Sequence, residues 1–276
     1  MIGAAIIVFR EVIEAGLIIG IVLAATRGAT GSRLFIAGGV ATGILGACVV
    51  AFFMAAIAGA FDGFGQEMLN VVILATAVIM LAWHNIWMSG HGRELANEMS
   101  AAGRDFALGK RAPLALAVVV GTAVLREGSE VVLFLYGVSV SNGGSAASLA
   151  AGSAAGLGLG VVVSALTYFG LLRIPPRHLF TVTSWLIAFL AAGMAAQAAG
   201  FLQQSGAVEQ FAQTVWDSSA YLSESSVAGR ILHTLIGYSE APSLLQLIAY
   251  VVTLAAITGL TRLARPAARP KLVSAE

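Results

Sequence analysis

The chain has 276 residues, of which 58% are hydrophobic and 11% are charged, and its formal net charge is +1. Its mean hydropathy is +0.90. A soluble domain carries about 25% charged residues, so this composition excludes an ordinary soluble domain and indicates a membrane protein with several spans. The single cysteine, Cys48, excludes an intramolecular disulfide and a cysteine-based metal site.

Seven apolar runs are long enough to cross a bilayer as helices, which takes about 20 residues. The predicted spans are 2–26, 34–60, 66–89, 113–140, 146–172, 178–203 and 242–263. Pro113 and Pro242 suit the first turn of a helix, where a missing N–H costs little. The first run lacks the pattern of a cleaved signal peptide, so we expect it to remain as a membrane helix.

The basic residues lie almost entirely on one side of these spans. Every Lys and Arg except Arg10, Arg126 and Arg230 follows span one, three, five or seven. The positive-inside rule then places the N-terminus outside and the C-terminus in the cytoplasm. The opposite loops are acidic, and their field would concentrate cations near the outer face.

The predicted architecture is an all-α membrane protein with seven transmembrane helices in one domain, residues 1–264, and a cytoplasmic tail at 265–276. Spans one to three and four to six begin on opposite sides, which predicts an inverted 3+3 repeat, about 2–89 and 113–203, plus a seventh helix. An external segment, 204–241, contains a helical run at 227–238. The amphipathic stretch 91–111 is expected to form an interfacial helix, and the tail an anchor to the anionic leaflet.

Two strings of the form R-E-x-x-E lie inside spans one and four. They begin at Arg10 and at Arg126, and their acids are Glu11, Glu14, Glu127 and Glu130. Each string holds two acids and one base, so pairing within a string leaves one acid uncompensated. A charge at the bilayer centre costs roughly 3 kcal/mol on insertion scales. The remaining acids therefore require a proton, a partner or a cation.

Helical spacing brings the charges of each string together. Residues three and four apart share a helix face, so both acids of a string point into one sector with the arginine alongside. Two such helices that face each other would present four carboxylates around one point. Carboxylate oxygen suits hard or borderline cations such as Fe³⁺, Fe²⁺ or Mn²⁺, and disfavours Cu(I).

Three other residues are weaker candidates. His84 lies within span three and is a possible pathway residue, although a single histidine in a bundle is more often hydrogen-bonded. Asp217 and Glu224, in the external segment, are possible capture sites for a metal before entry; the alternative is that they are solvated acids.

The glycines of spans one, two and five recur every four residues, which predicts close helix packing.

Two other interpretations of the strings stay open. Arg–Glu bridges could simply fasten helices together, or the paired acids could relay protons for a transporter of another divalent cation or small solute. A membrane enzyme is not expected, because the sequence contains neither H-E-x-x-H nor G-x-S-x-G.

With both strings on spans one and four of seven, the chain resembles the oxidase-dependent iron transporter family, which includes the yeast high-affinity iron permease and the bacterial Efe-type iron permeases. The stretches 87–95 (WMSGHGREL) and 244–251 (LLQLIAYV) also resemble the bacterial branch. The resemblance implies that the four motif acids carry iron and that both motif arginines support them.

The resemblance also implies partners and a location. We expect iron as the transported substrate with no permanently bound cofactor, a separate periplasmic or extracellular oxidase or iron-delivery protein, contact with membrane lipid, and no nucleic acid. The fungal external acidic motif is not reproduced contiguously; Asp217 and Glu224 are a looser counterpart. The expected location is the cytoplasmic (inner) membrane of a bacterium.

Overall fold

The computed structural model describes residues 1–60, 66–110, 112–142, 145–170 and 176–264. The predicted tail at 265–276 lies outside the described residues. The helices in this part of the chain are α1 (Ile2–Ala25), α2 (Ser32–Ala60), α3 (Gln66–Ala107), α4 (Pro113–Asn142), α5 (Ala146–Tyr168), α6 (Pro176–Gln204), α7 (Val227–Ile236) and α8 (Leu244–Ala264). These described residues contain no strand, which confirms the all-α prediction for them; one isolated bridge joins Thr214 to Ser243.

Local capping chemistry sets several of the helix ends. Ser145 and Ser226 precede α5 and α7, and each hydroxyl accepts a hydrogen bond from the backbone N–H three residues on, at 3.3 and 2.9 Å. These caps satisfy donors that the first turn of a helix leaves free. α7 ends at Gly237, whose φ of 68° is the left-handed conformation that glycine adopts at low cost.

Two predicted span ends are wrong. Span five, predicted at 146–172, ends at Tyr168 because the chain turns there and Gly170 takes a φ of 71°. Pro242 does not lie in the first turn of a helix, since α8 begins at Leu244. The Pro242 carbonyl instead accepts a hydrogen bond from the Val215 N–H at 3.0 Å, so it fastens the external segment.

The separate interfacial helix predicted at 91–111 is also wrong as an element. α3 continues without a break to Ala107. Gly103 packs against the end of α1 at Val22 and Ala25, and Phe106 is buried in the same region. The amphipathic stretch therefore buries its apolar face against the bundle as the last part of α3.

The last part of α3 must run obliquely across the end of α1. His84 of α3 contacts Glu14 of α1, so the two helices are level at that point. A straight helix would place Gly103 about 28 Å beyond His84, whereas Val22 is about 12 Å beyond Glu14. Because Gly103 nonetheless contacts Val22, α3 is strongly tilted or bent between these points.

Five stretches are long and apolar enough to cross a membrane: Ser32–Ala56, Glu67–His91, Ala146–Tyr168, Thr181–Gln204 and Leu244–Ala264. They lie on α2, α3, α5, α6 and α8. α1 and α4 have sufficient length, but each carries the three charges of its motif. Large apolar side chains such as Phe52 and Leu159 are exposed on these helices, as expected of a helical membrane protein.

The helices pack in swapped pairs. α1 lies against α5, α4 against α2, and α3 against α6, while α8 packs on α6. Exchanging α1 with α4, α2 with α5, and α3 with α6 leaves the first three pairings unchanged. The helix that carries each motif therefore rests on the second helix of the other half.

Glycines line both swapped interfaces: Gly152, Gly156 and Gly160 on α5, and Gly39 and Gly43 on α2. A Cβ atom at Gly39 would lie 2.6 Å from the Ala117 carbonyl oxygen of α4. Only a residue without a side chain lets the backbones come this close. The prediction that these glycines serve helix packing is confirmed.

Candidate cation site between the motifs

The first motif forms a closed ion-pair cluster on α1. The Arg10 guanidinium lies 2.8 Å from Glu11 Oε1 and 2.8 Å from Glu14 Oε1. The Arg10–Glu14 pair uses the i, i+4 spacing of a helix face. The Arg10 side chain is only 2% exposed, so both bridges lie away from solvent and are little screened.

The second motif is more open. Arg126 Nε lies 3.2 Å from Glu130 Oε1, again at i, i+4 spacing. The Arg126 side chain is 39% exposed, and its guanidinium lies over the ring of Trp87, 4.5 Å from the ring centre. The two motifs thus share a pattern but not an environment.

His84 of α3 joins the two motifs. Its Nε2 lies 3.2 Å from Glu14 Oε2, and its Nδ1 is in close contact with Glu130 Oε2. The ring is 2% exposed. Both ring nitrogens face a carboxylate, and only the doubly protonated imidazole can donate to both at once. The helices α1, α3 and α4 therefore meet at this ring.

Four side chains converge closely enough to hold one metal ion. Glu11, His84, Glu127 and Glu130 each offer one ligand atom, and these atoms lie within 4.8 Å of one another. All four are buried. Glu11 Oε2 and Glu127 Oε2 have no hydrogen-bond partner among the described residues. Buried acceptors without partners are costly, and a cation would satisfy them.

This geometry differs in one member from the four acids predicted as ligands. Three of them, Glu11, Glu127 and Glu130, belong to the converging group, and His84 replaces Glu14 as the fourth. Glu14 faces Arg10 and His84 instead. The donors are oxygen and imidazole nitrogen, a set that suits Fe²⁺, Mn²⁺ and similar cations.

Two apolar clusters lie on either side of the motifs. The first core cluster includes Ile7, Leu81, Phe134, Val138 and Met194. The second core cluster includes Val22, Phe106, Leu116, Val120 and Val124. On α1, Ile7 of the first cluster precedes the motif and Val22 of the second cluster follows it. On α4 the order is reversed, since Val124 of the second cluster precedes the motif and Phe134 of the first cluster follows it. The acids therefore occupy a polar layer between two apolar ones.

A cavity of about 340 Å³ lies beside the four converging side chains, on the side formed by α3 and α4. Its walls are formed by Met80, Trp83, His84, Trp87, Arg126 and Glu130. Two of these, His84 and Glu130, belong to the converging group. The cavity thus provides free space next to the ligands.

The two external acids proposed for metal capture have different hydrogen-bond partners. Asp217 Oδ1 accepts a hydrogen bond from the Ser219 N–H at 2.9 Å, and hydrogen bonds from the Ser219 hydroxyl and backbone lower the pKa of the exposed Asp217 carboxyl. Glu224 and Glu240 clasp each other: the Glu224 N–H donates to Glu240 Oε2 at 2.8 Å, and the Glu240 N–H donates to Glu224 Oε1 at 3.0 Å. Glu224 thus helps to fasten the external segment.

Sequence reasoning missed two features here. The clasp partner Glu240 and the stacking partner Trp87 drew no functional prediction. Trp87 lies three residues after His84 on one helix, which puts the two on a shared face. That spacing was the available signal, but it does not reveal that Arg126 of another helix lies opposite.

Long apolar helices around a buried group of carboxylate and imidazole side chains define a helical membrane protein with potential metal ligands in its interior. Residues 1–264 match the Iron permease FTR1 family, and the chain belongs to this family. Its members are permeases, which are transporters and not enzymes. The resemblance seen in the motifs is confirmed.

Individual relatives are similar along most of their length. The chain is 32% identical to the ferrous iron permease EfeU of Escherichia coli O6:H1 over 256 residues, which cover 90% of this chain and 91% of that protein. It is 31% identical to EfeU of Shigella sonnei over 255 residues, with the same coverage. The Shigella flexneri EfeU is 33% identical over 198 residues, covering 71% and 83%. No solved structure matches the chain.

Proposed function

We propose that this chain is an iron permease that carries iron ions inward across the cytoplasmic membrane of a bacterium. The observation that carries the proposal is the group of Glu11, His84, Glu127 and Glu130, whose buried ligand atoms converge within 4.8 Å. The relatives are named ferrous iron permeases. Iron is the substrate here, and the proposal needs no resident cofactor.

The residues of the two motifs have distinct roles in this proposal. The free oxygens of Glu11 and Glu127 accept the ion without breaking an existing bond. Glu130 and His84 exchange their contact with each other for contact with iron, and His84 gives up the proton of the ring nitrogen that binds the ion. Arg10 and Glu14 stay paired and hold the α1 side of the site in place. Oxygen and imidazole donors accept both Fe²⁺ and Fe³⁺.

Transport through this site requires the apolar layers to open in turn. The first core cluster lies on the outer side of the acids and the second on the inner side, in the proposed orientation. α7 packs at the outer end of α1, where Thr234 lies against Gly3, and the last part of α3 packs at its inner end. Movements of these two segments would expose the site to one side at a time.

We propose that α1–α6 and α8 are the seven spans, with the N-terminus outside and an inverted 3+3 repeat. The swapped pairing of helices supports two equivalent halves. In a Cys48→Ser background, Ser219→Cys should react with an impermeant maleimide on intact cells, and Glu98→Cys should not. The reverse labelling pattern would contradict this orientation.

Oxidation of iron, where it accompanies uptake, is assigned to a separate periplasmic partner, as the resemblance implies. The exposed external segment that includes Asp217 is the surface that would face this partner.

A second candidate function is a proton-coupled transporter of another divalent cation or small solute. The contacts from Glu14 through His84 to Glu130 favour it, because they form a chain along which a proton could pass. Uptake in that case should follow the proton gradient and should not be competed by iron.

Radio-iron uptake in cells tests the main proposal. We expect Glu11→Gln and Glu127→Gln each to lower the uptake rate at least about tenfold, because each amide removes a charged ligand from a buried site. Glu209→Gln is the matched control, since Glu209 is an exposed external acid, and it should keep wild-type uptake. Undiminished uptake in both cluster variants would rule the proposal out.

A further inference from the structure

The two arginines of the repeated motif differ in their freedom to move. Arg10 contacts two carboxylates at 2.8 Å and is 2% exposed. Among the described residues, Arg126 contacts one carboxylate, Glu130, at 3.2 Å, and its side chain is 39% exposed. A buried double bridge fixes a guanidinium, whereas a single half-exposed bridge can be exchanged for another contact.

Trp87 already offers that other contact. The Arg126 guanidinium lies 4.5 Å from the centre of its indole ring. The ring is itself held by His91, whose imidazole stacks on it with centres 5.2 Å apart and planes 9° from parallel. His91 Nδ1 also lies 3.1 Å from the Trp87 carbonyl oxygen. Trp87 thus presents a fixed aromatic face to a movable cation.

The cavity of about 340 Å³ supplies the space for such a movement. Both Arg126 and Trp87 form its walls, next to Glu130. Trp83 lines the same cavity and is 71% exposed. Among the described residues, the stacking contact of Arg126 is with Trp87, which makes Trp83 a natural comparison.

From this geometry we infer that Trp87 is a positioning residue for iron binding. When an incoming iron ion displaces the Arg126 guanidinium from Glu130, the Trp87 ring holds the displaced guanidinium. The inference rests on the proposed function. Iron and a guanidinium repel each other at one carboxylate, so the guanidinium must withdraw. An aromatic face keeps a withdrawn cation stable where water is scarce.

Binding of Fe²⁺ to the purified full-length chain, measured by anaerobic equilibrium dialysis, tests the inference. Trp87→Leu should weaken Fe²⁺ binding about threefold to tenfold, because the guanidinium loses its alternative contact and competes for Glu130. Trp87→Phe, which keeps an aromatic face, should recover most of the affinity. Trp83→Leu should stay within about twofold of wild type. In uptake assays the same Trp87→Leu change should raise KM and leave the maximal rate nearly unchanged.

A double-mutant cycle separates this role from packing. In an Arg126→Gln background there is no guanidinium to hold, so Trp87→Leu should cause no further loss of Fe²⁺ affinity. An undiminished effect in that background, or equal effects of Trp87→Leu and Trp83→Leu, would overturn the inference alone. If the wild-type protein did not bind Fe²⁺, or if Glu127→Gln left its Fe²⁺ binding unchanged, the proposed function would fail and the inference with it.

Discussion

At the scale of single residues, the ion pairs within each motif could be predicted from the sequence, but the contacts that join the two motifs could not. The i, i+4 spacing correctly paired Arg10 with Glu14 and Arg126 with Glu130. His84 was predicted only as a possible pathway residue, because spacing within one helix does not tell which side chains of other helices lie opposite. Its contacts with Glu14 and Glu130 depend on how α3 packs between α1 and α4.

The unequal burial of the two arginines predicts unequal effects on stability. Arg10→Ala would leave two buried carboxylates without their partner, and we expect a loss of about 3–5 kcal/mol in the free energy of unfolding. Arg126→Ala removes one contact of Glu130, which keeps its contact with His84, so we expect a smaller loss of about 1–2 kcal/mol. Unfolding of the purified variants in mixed micelles would measure both. Equal losses would contradict the environments described for the two arginines.

At the scale of the helices, composition predicted where most of them lie, and the glycine spacing predicted that they pack closely. The continuation of α3 to Ala107 was not predicted, because the apolar run of span three ends at residue 89 and the stretch 91–111 was expected to form a separate interfacial helix. Gly90 has a packing reason to be glycine: a Cβ atom there would lie 2.9 Å from the Ala264 carbonyl oxygen of α8. The backbones of α3 and α8 therefore lie close together at this glycine.

Neighbouring glycines of α2 offer a matched test of this packing. A Cβ atom at Gly39 would lie 2.6 Å from the Ala117 carbonyl oxygen, whereas one at Gly38 would meet no described atom within 4 Å. We expect Gly39→Ala to destabilise the chain by about 1–3 kcal/mol through overpacking. Gly38→Ala should be neutral or stabilising by up to about 1 kcal/mol, because alanine favours the helix. Thermal unfolding in detergent would compare the two, and similar melting temperatures would contradict the swapped interface.

At the scale of the whole molecule, the arrangement is a polar layer enclosed by two apolar ones. Spans one to three and spans four to six begin on opposite sides of the membrane, and this predicted an inverted repeat. The swapped pairing of α1 with α5 and of α4 with α2 is consistent with that repeat. The sequence did not predict the two apolar clusters, since they combine residues from distant helices. Their position above and below the acids follows from the antiparallel course of α1 and α4.

The most direct test of the central claim is anomalous X-ray diffraction at the iron absorption edge from crystals of the chain soaked with Fe²⁺. The account predicts one anomalous peak among Glu11, His84, Glu127 and Glu130, and its loss in crystals of the Glu127→Gln variant. A peak elsewhere with none at this group, or a peak that the Glu127→Gln variant keeps in full, would contradict it.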